Sequence, residues 1–227
     1  MSNAKLNAAR AAIRELPEHG TIGLGSGSTA ILFIQELPRL LRDGRRLVGV
    51  PTSEATRSLA ATLEIPLLDE VGPWDIDVNV DGADEVSEVC DLIKGGGSAH
   101  AREKIVNASA RRNVIIVDES KVSRRLGESF RIPVEVLRFG HGATSAHLAH
   151  YGNPVLRERD GKLVETDGGN YIYDLAVPPV DDPRALDVAL LSIPGVVETG
   201  LFIERADVVL IGSEQGVRRL TKNLVRA

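Results

Sequence analysis

Thr21-Ile22-Gly23-Leu24-Gly25-Ser26-Gly27-Ser28-Thr29 decides the fold. A short strand-like run enters a Gly/Ser/Thr loop, and Ile31, Ile34 and Leu37 then recur at helical spacing toward a core, with Pro38 set to kink or end the helix. Upstream, Leu6, Ala9, Ile13 and Leu16 mark an amphipathic helix that stops at Pro17 and Gly20. Downstream, Leu47-Val48-Gly49-Val50 is a strand, Pro51-Thr52-Ser53 a loop and cap, and 54–63 a helix that turns Leu59 and Leu63 inward. Strands alternating with helices imply a parallel sheet with right-handed crossovers. The expected class is α/β, a Rossmann-like, mostly parallel sheet flanked by helices.

Further strands continue the pattern. Pro66-Leu67-Leu68 is short, Ile76-Asp77-Val78-Asn79-Val80-Asp81 alternates, and Asn113-Val114-Ile115-Ile116-Val117 reads as a buried strand ending at Asp118-Glu119-Ser120-Lys121. After Gly127 the order changes to strand (132–137), helix (145–151), a hairpin turning at Asp160-Gly161, strand (171–177), helix (184–193) and strand (196–203). That order fits a small α+β, ferredoxin-like domain inserted into the larger one. Asp207-Val208-Val209-Leu210-Ile211-Gly212 then returns to the first sheet before a final helix. The expected division is 1–128 plus 205–227 for the Rossmann-like domain and 129–204 for the insertion.

The 227 residues suffice for a substantial core, and 43% apolar content with a net charge of −5 suits a soluble α/β protein. A mildly acidic chain argues against nucleic acid as partner, since phosphate-backbone binding needs concentrated Lys and Arg. No stretch is apolar enough to cross a membrane and no signal-like segment leads the chain. Cys90 is the only cysteine, which excludes an intrachain disulfide and favours a reducing, cytoplasmic setting; within a strand-like run it reads as buried filler.

A second loop carries more chemistry. In Asp91-Leu92-Ile93-Lys94-Gly95-Gly96-Gly97-Ser98-Ala99-His100-Ala101-Arg102-Glu103-Lys104, three glycines separate an apolar strand-like run from a helix. They permit close backbone approach and positive φ, and Ser98 as N-cap would aim free helix N–H groups at an anion. Asp81 and Asp84 end the preceding strand at the rim where Lys94 and Lys121 also emerge, because open α/β sheets bind ligands outside the carboxyl ends of their strands. Two like charges there should raise at least one pKa, as acid/base work requires. Asp81 alone is also good turn chemistry, Lys94 could be a solvated strand-end lysine, and Glu103 fits a solvated helix face as well as a site.

The loop Gly25-Ser26-Gly27-Ser28-Thr29-Ala30 fits a loose dinucleotide pattern, but Val50-Pro51-Thr52 stands where a ribose-binding acid should lie, about 20 residues on. What remains is a cradle for one phosphate or sugar hydroxyls, or simply a tight capped turn. His141, His147 and His150 lack a carboxylate or cysteine cluster at metal-ligand spacing, so no metal is expected. Trp74 is read as core.

Taken together, Gly25-Ser26-Gly27-Ser28-Thr29, Pro51-Thr52-Ser53, Asp81-Gly82-Ala83-Asp84, Lys94-Gly95-Gly96-Gly97, Arg102-Glu103-Lys104, Asp118-Glu119-Ser120-Lys121, Thr166-Asp167-Gly168-Gly169-Asn170 and the run from Pro194-Gly195 to Leu201-Phe202 resemble the A-type ribose-5-phosphate isomerases, in order and over nearly the whole chain. The resemblance implies interconversion of ribose 5-phosphate and ribulose 5-phosphate through an enediol, without metal or cofactor. It implies Glu103 as the base moving a proton between C1 and C2, Asp81 and Asp84 assisting ring opening and proton movement on the sugar oxygens, and Lys94 with loop N–H groups stabilising the enediolate. Ser26, Gly27, Ser28, Thr29, Gly82, Ala83, Gly95, Gly96, Gly97, Lys121 and Lys5 would bind the substrate. The inserted domain would act as a partial lid and help form a homodimer or larger homo-oligomer. Ser26 departs from the Thr of many members, keeping the hydroxyl, and 138–143 matches no pattern of the family. A non-catalytic sugar-phosphate sensor on the related fold is the alternative; it could dispense with Glu103 or Asp81, and this chain keeps both. A nucleotide-dependent oxidoreductase is a third.

Overall fold

The structure is a computed structural model that describes residues 3–221. In chain order its elements are α1 (Asn3–Ala12), β1 (His19–Leu24), α2 (Ser28–Arg42), β2 (Arg46–Pro51), α3 (Glu54–Thr62), β3 (Val78–Asp81), β4 (Glu85–Ser87), β5 (Leu92–Ile93), α4 (His100–Ser109), β6 (Asn113–Asp118) and β7 (Val122–Ser123). They continue with β8 (Ile132–Val136), α5 (His141–Leu148), β9 (Asn153–Leu156), β10 (Glu158–Arg159), β11 (Lys162–Leu163), β12 (Tyr171–Ala176), α6 (Pro183–Leu191), β13 (Val196–Thr199), β14 (Leu201–Phe202), β15 (Val208–Gly212) and β16 (Val217–Thr221). Short 3-10 turns lie at Ile13–Glu15 and Glu119–Lys121. The described residues form two compact units.

The first unit comprises residues 3–83, 102–120 and 204–221. Its six-stranded sheet has the order β16-β15-β6-β3-β1-β2, parallel throughout except for the antiparallel edge strand β16. β3 and β15 are buried along their whole length, as expected of parallel strands with both faces covered. Phe33, Ile34 and Leu37 of α2 pack with Ala8 and Ala12 of α1 and with Leu24, Val80 and Ile116 of the sheet. Register sets Leu24 beside Pro51 and Val80, and Asp118 beside Gly212, so the carboxyl ends of the parallel strands lie along one edge.

Three expectations change here. Helix α2 runs through Pro38, because burial of Phe33, Ile34 and Leu37 offsets the lost hydrogen bond of one proline. Ile31 is 40% exposed and lies outside the core. No helix follows β15 within the described residues: the chain turns at Ser213, whose N–H bonds Gly216 O, and returns as β16. Val217 and Leu220 imitate a helical period, but in β16 they are half-buried along a sheet edge. The rest of the expected final helix falls on 222–227, outside the described residues.

The second unit comprises residues 84–101 and 121–203. One four-stranded sheet is antiparallel with the order β13-β8-β12-β9, and the chain order β8-α5-β9-β12-α6-β13 makes it ferredoxin-like. Val134, Val136, Leu148, Leu175 and Leu190 share its core. The β10–β11 hairpin turns at Asp160-Gly161, where both residues have positive φ. A second sheet, β14-β5-β4-β7, brings 84–101 into this unit, so it holds more chain than the insertion drawn at 129–204. β5, the apolar strand-like run before the glycine loop, pairs antiparallel with β4 and β14.

Candidate active site

In the first unit the loops after β1, β2 and β3 interlock. Asp81, the last residue of β3, is 1% exposed, and its Oδ1 accepts the N–H groups of Ser26 at 3.0 Å and Gly82 at 2.7 Å. Gly25 makes this approach possible: a Cβ there would lie 2.1 Å from Asp81 Oδ1 and 2.5 Å from Asp81 Cα. The Ser26 hydroxyl lies within hydrogen-bond reach of Thr52 (2.9 Å), Ser53 (2.8 Å) and Thr56 (3.1 Å). Thr52 and Thr56 in turn donate to Leu24 O and Gly25 O, and Ser53 caps α3 through Thr56 N–H. Thr52 and Thr56 spend their own protons on these carbonyls and Ser53 donates to Thr56 Oγ1, so the one Ser26 proton serves these neighbours and its hydroxyl oxygen keeps acceptor capacity.

The outward groups of this loop are Gly27 and Ser28, both exposed at the N-terminus of α2, where free N–H groups favour an anion. Thr29 is buried. Lys5 Nζ donates to Ser28 Oγ at 2.9 Å and lies 4.0 Å from Asp118 Oδ2, which places an ammonium at the same helix start. Gly82 and Ala83 are half-buried beyond Asp81.

The glycine loop belongs to the second unit. Lys94 is 2% exposed, its backbone N–H bonds Gly200 O at 2.9 Å, and its Nζ lies 5.4 Å from the centre of the Phe202 ring. It is therefore no solvated strand-end lysine. Gly95 has φ +111, with its pro-chiral position packed on the buried His100 ring, and Gly96 N–H donates to Asp84 Oδ2 at 2.7 Å. Gly97 is exposed. Ser98 does not cap α4: the helix starts at His100 and Ser98 has φ +66, with its hydroxyl accepting from Arg157 instead.

Glu103 sits in the first turn of α4 and is 4% exposed, which rules out the solvated helix face. Its neighbour Arg102 reaches Glu54 at 2.6 Å and holds that carboxyl below its ordinary value. Burying Asp81, Lys94 and Glu103 costs desolvation energy that packing alone does not require, and buried charges of this kind concentrate at functional sites. Lys121 ends the 3-10 turn after β6, with Nζ 5.9 Å from the Phe130 ring centre.

Sequence reasoning overlooked a layer of polar residues around the glycine loop. Arg157 donates to Gly95 O, and Glu135, 3% exposed, accepts from Thr166 Oγ1 and Asn170 Nδ2, both at 2.8 Å. Thr166 and Asn170 stood in a quoted motif; Arg157, between two short strands, gave no signal. The three histidines considered for metal have other surroundings, His141 on Tyr173 OH at 2.8 Å and His147 stacked on His150. Among the described residues no group of His, Cys, Asp and Glu is arranged to hold a metal ion. Cys90 is buried, and Trp74 is half-buried against Val50, Ile76 and Val106.

Residues 48–216 match the family model for ribose 5-phosphate isomerase A (phosphoriboisomerase A). The chain belongs to this family. It is 48% identical to a ribose-5-phosphate isomerase A of Caulobacter vibrioides, over 92% of this chain and 94% of that one. The solved ribose 5-phosphate isomerase A of Methanocaldococcus jannaschii superposes with a TM-score of 0.92 at 42% identity, covering 97% of this chain and 99% of the other. A D-ribose-5-phosphate isomerase in complex with phospho-erythronic acid does so with a TM-score of 0.92 at 37% identity, covering 96% and 98%. Family membership therefore extends over both units and accounts for the mixed α/β architecture. Among the described residues no helix is long and apolar enough to cross a membrane.

Proposed function

We propose that this chain interconverts D-ribose 5-phosphate and D-ribulose 5-phosphate by proton transfer through a cis-enediolate, within the non-oxidative pentose phosphate pathway. The observation that carries the reading is the burial of Glu103, Asp81 and Lys94, a base, an acid/base partner and a cation, in a chain of this family. A proton beside a carbonyl is hard to remove, and the remedy is a placed base together with stabilisation of the developing oxyanion.

In the aldose-to-ketose direction Glu103 takes the proton from C2, the C1=O bond becomes the enediolate, and Glu103 returns the proton to C1. Lys94 and loop N–H groups other than that of Gly96, which Asp84 holds, stabilise the negative charge. Asp81 and Asp84 move protons on the sugar oxygens, which opens the furanose and completes O1–H as O2–H is lost. Gly27, Ser28 and Thr29 at the α2 N-terminus, with Lys5 and Lys121, hold the phosphate and sugar hydroxyls. Ser26, Gly82 and Ala83 complete the substrate-binding loops, with Ser26 oriented by Thr52, Ser53 and Thr56. No metal or cofactor takes part in this scheme. The protein acts in the cytoplasm as a homodimer or larger homo-oligomer, with the ferredoxin-like part contributing contacts and a partial lid; Phe139 and Val188 offer exposed apolar surface there.

The test is isomerisation in D2O followed by NMR. Proton transfer predicts ribulose 5-phosphate labelled at C1; turnover with no solvent label and complete retention of a C2 deuterium would indicate hydride transfer instead.

A further inference from the structure

Arg157 is 9% exposed at its side chain, and all its connections run within the second unit. It lies between β9 and β10, its N–H bonding Ile172 O at 2.8 Å and its carbonyl accepting Val164 N–H at 3.1 Å, so its backbone is fixed on both sides. Asp174 of β12 holds the guanidinium in a fork, Nε to Oδ2 at 2.9 Å and Nη2 to Oδ1 at 2.5 Å. The remaining terminal nitrogen, Nη1, donates to Gly95 O at 2.6 Å and Ser98 Oγ at 3.0 Å. Four of the five guanidinium N–H groups are thus committed, two to an anchor and two to the glycine loop.

The loop needs such a hold. Gly95 at φ +111 and Ser98 at φ +66 occupy left-handed backbone, and for serine that conformation costs about 1 kcal/mol or more. The Ser98 N–H to Gly95 O bond at 3.0 Å closes the turn on its own backbone. Between these two pinned ends lies Gly96, whose N–H donates to Asp84 Oδ2 at 2.7 Å.

We infer that Arg157 is a positioning residue for the isomerisation: anchored by Asp174, it pins both ends of the glycine loop, and through Gly96 N–H it fixes the Asp84 carboxylate. The inference rests on the isomerase reading for its catalytic consequence and on geometry alone for the loop. Lysine at 157 keeps the charge beside Asp174 but has no planar fork to bridge anchor and loop.

The test compares the unsubstituted full chain with Arg157→Lys and Arg157→Ala. Amide hydrogen exchange at 96–99 is read beside kcat and KM for ribose 5-phosphate, and Arg157→Ala is assayed with millimolar guanidinium added. Exchange should accelerate in both variants, and kcat of Arg157→Lys should fall about 10- to 100-fold with KM changed less than about threefold, since misplaced groups cost rate rather than uniform binding. Guanidinium should restore part of the Arg157→Ala rate, which mere loss of stability would not allow. Arg157→Lys keeps the question open to test if Arg157→Ala fails to fold. Unchanged exchange overturns the inference whatever the rate, and faster exchange with unchanged kcat overturns its catalytic part. Should the unsubstituted chain show no turnover, the isomerase reading falls, and exchange alone decides whether Arg157 holds the loop.

Discussion

Gly25 holds the end of β1 against the end of β3, and the contact is with backbone as well as side chain. Gly25→Ala would press its new methyl on Asp81 Cα and Oδ1, neither of which can withdraw without breaking the bonds to Ser26 and Gly82. The expected cost is about 1–3 kcal/mol of stability by urea unfolding, as for other overpacked positions, with a further loss of kcat as Asp81 shifts. A variant as stable and as active as the parent would contradict this placing of Asp81. At this scale the sequence was informative about residue types and blind to burial. Asp81, Lys94 and Glu103 were legible as chemistry, because carboxylates and a lysine bordering glycine loops are unusual. Their solvent exposure was not legible, because the alternation that marks a helix face says nothing of charges buried on it. Ser98 misled for a related reason: a serine before a helix is good cap chemistry, and only the positive φ shows that it is used as a loop corner.

The elements were read best where apolar periodicity was strong and worst where pairing was non-local. β6, β15 and the ferredoxin-like order followed from runs such as Asn113-Val114-Ile115-Ile116-Val117. β5 pairs locally with β4 and, on its other side, with Leu201 and Phe202 more than 100 residues away, a partner that no local pattern reveals. β16 is held at the sheet edge partly by charge. Glu15 bonds Arg112 at 2.5 Å and also Arg219 of β16, tying the 3-10 turn after α1 to that strand. Burial pushes the Glu15 carboxyl up, but the hydrogen bond from Arg219 and the charges of Arg112 and Arg219 outweigh it and hold it below its ordinary 4.5. A carboxyl with a depressed native pKa stabilises the fold fully above the unfolded value, and that stability is lost as pH falls through the native value. The urea midpoint should therefore drop on acidification below 4.5, and Glu15→Gln should lower the midpoint at neutral pH while flattening the acid slope. An acid slope identical in the two proteins would remove Glu15 from the account.

For the molecule as a whole, the family resemblance read from eight blocks and the match to a ribose-5-phosphate isomerase A over 92% of the chain agree. The blocks were legible because glycines, carboxylates and lysines at fixed spacing serve chemistry, whereas Arg157, between β9 and β10, and Glu135 of β8 support those loops and carry no local signature. We propose that a single buried carboxylate, Glu103, moves the proton. The most direct measurement is ketose formation from ribose 5-phosphate by the purified, EDTA-treated protein, with Glu103→Gln beside it. Robust turnover is expected, reduced at least about 100-fold by the substitution, while ribose 5-phosphate still protects the variant against thermal unfolding. Binding without turnover in the unsubstituted protein, or a Glu103→Gln variant that retains the parent rate, would contradict it.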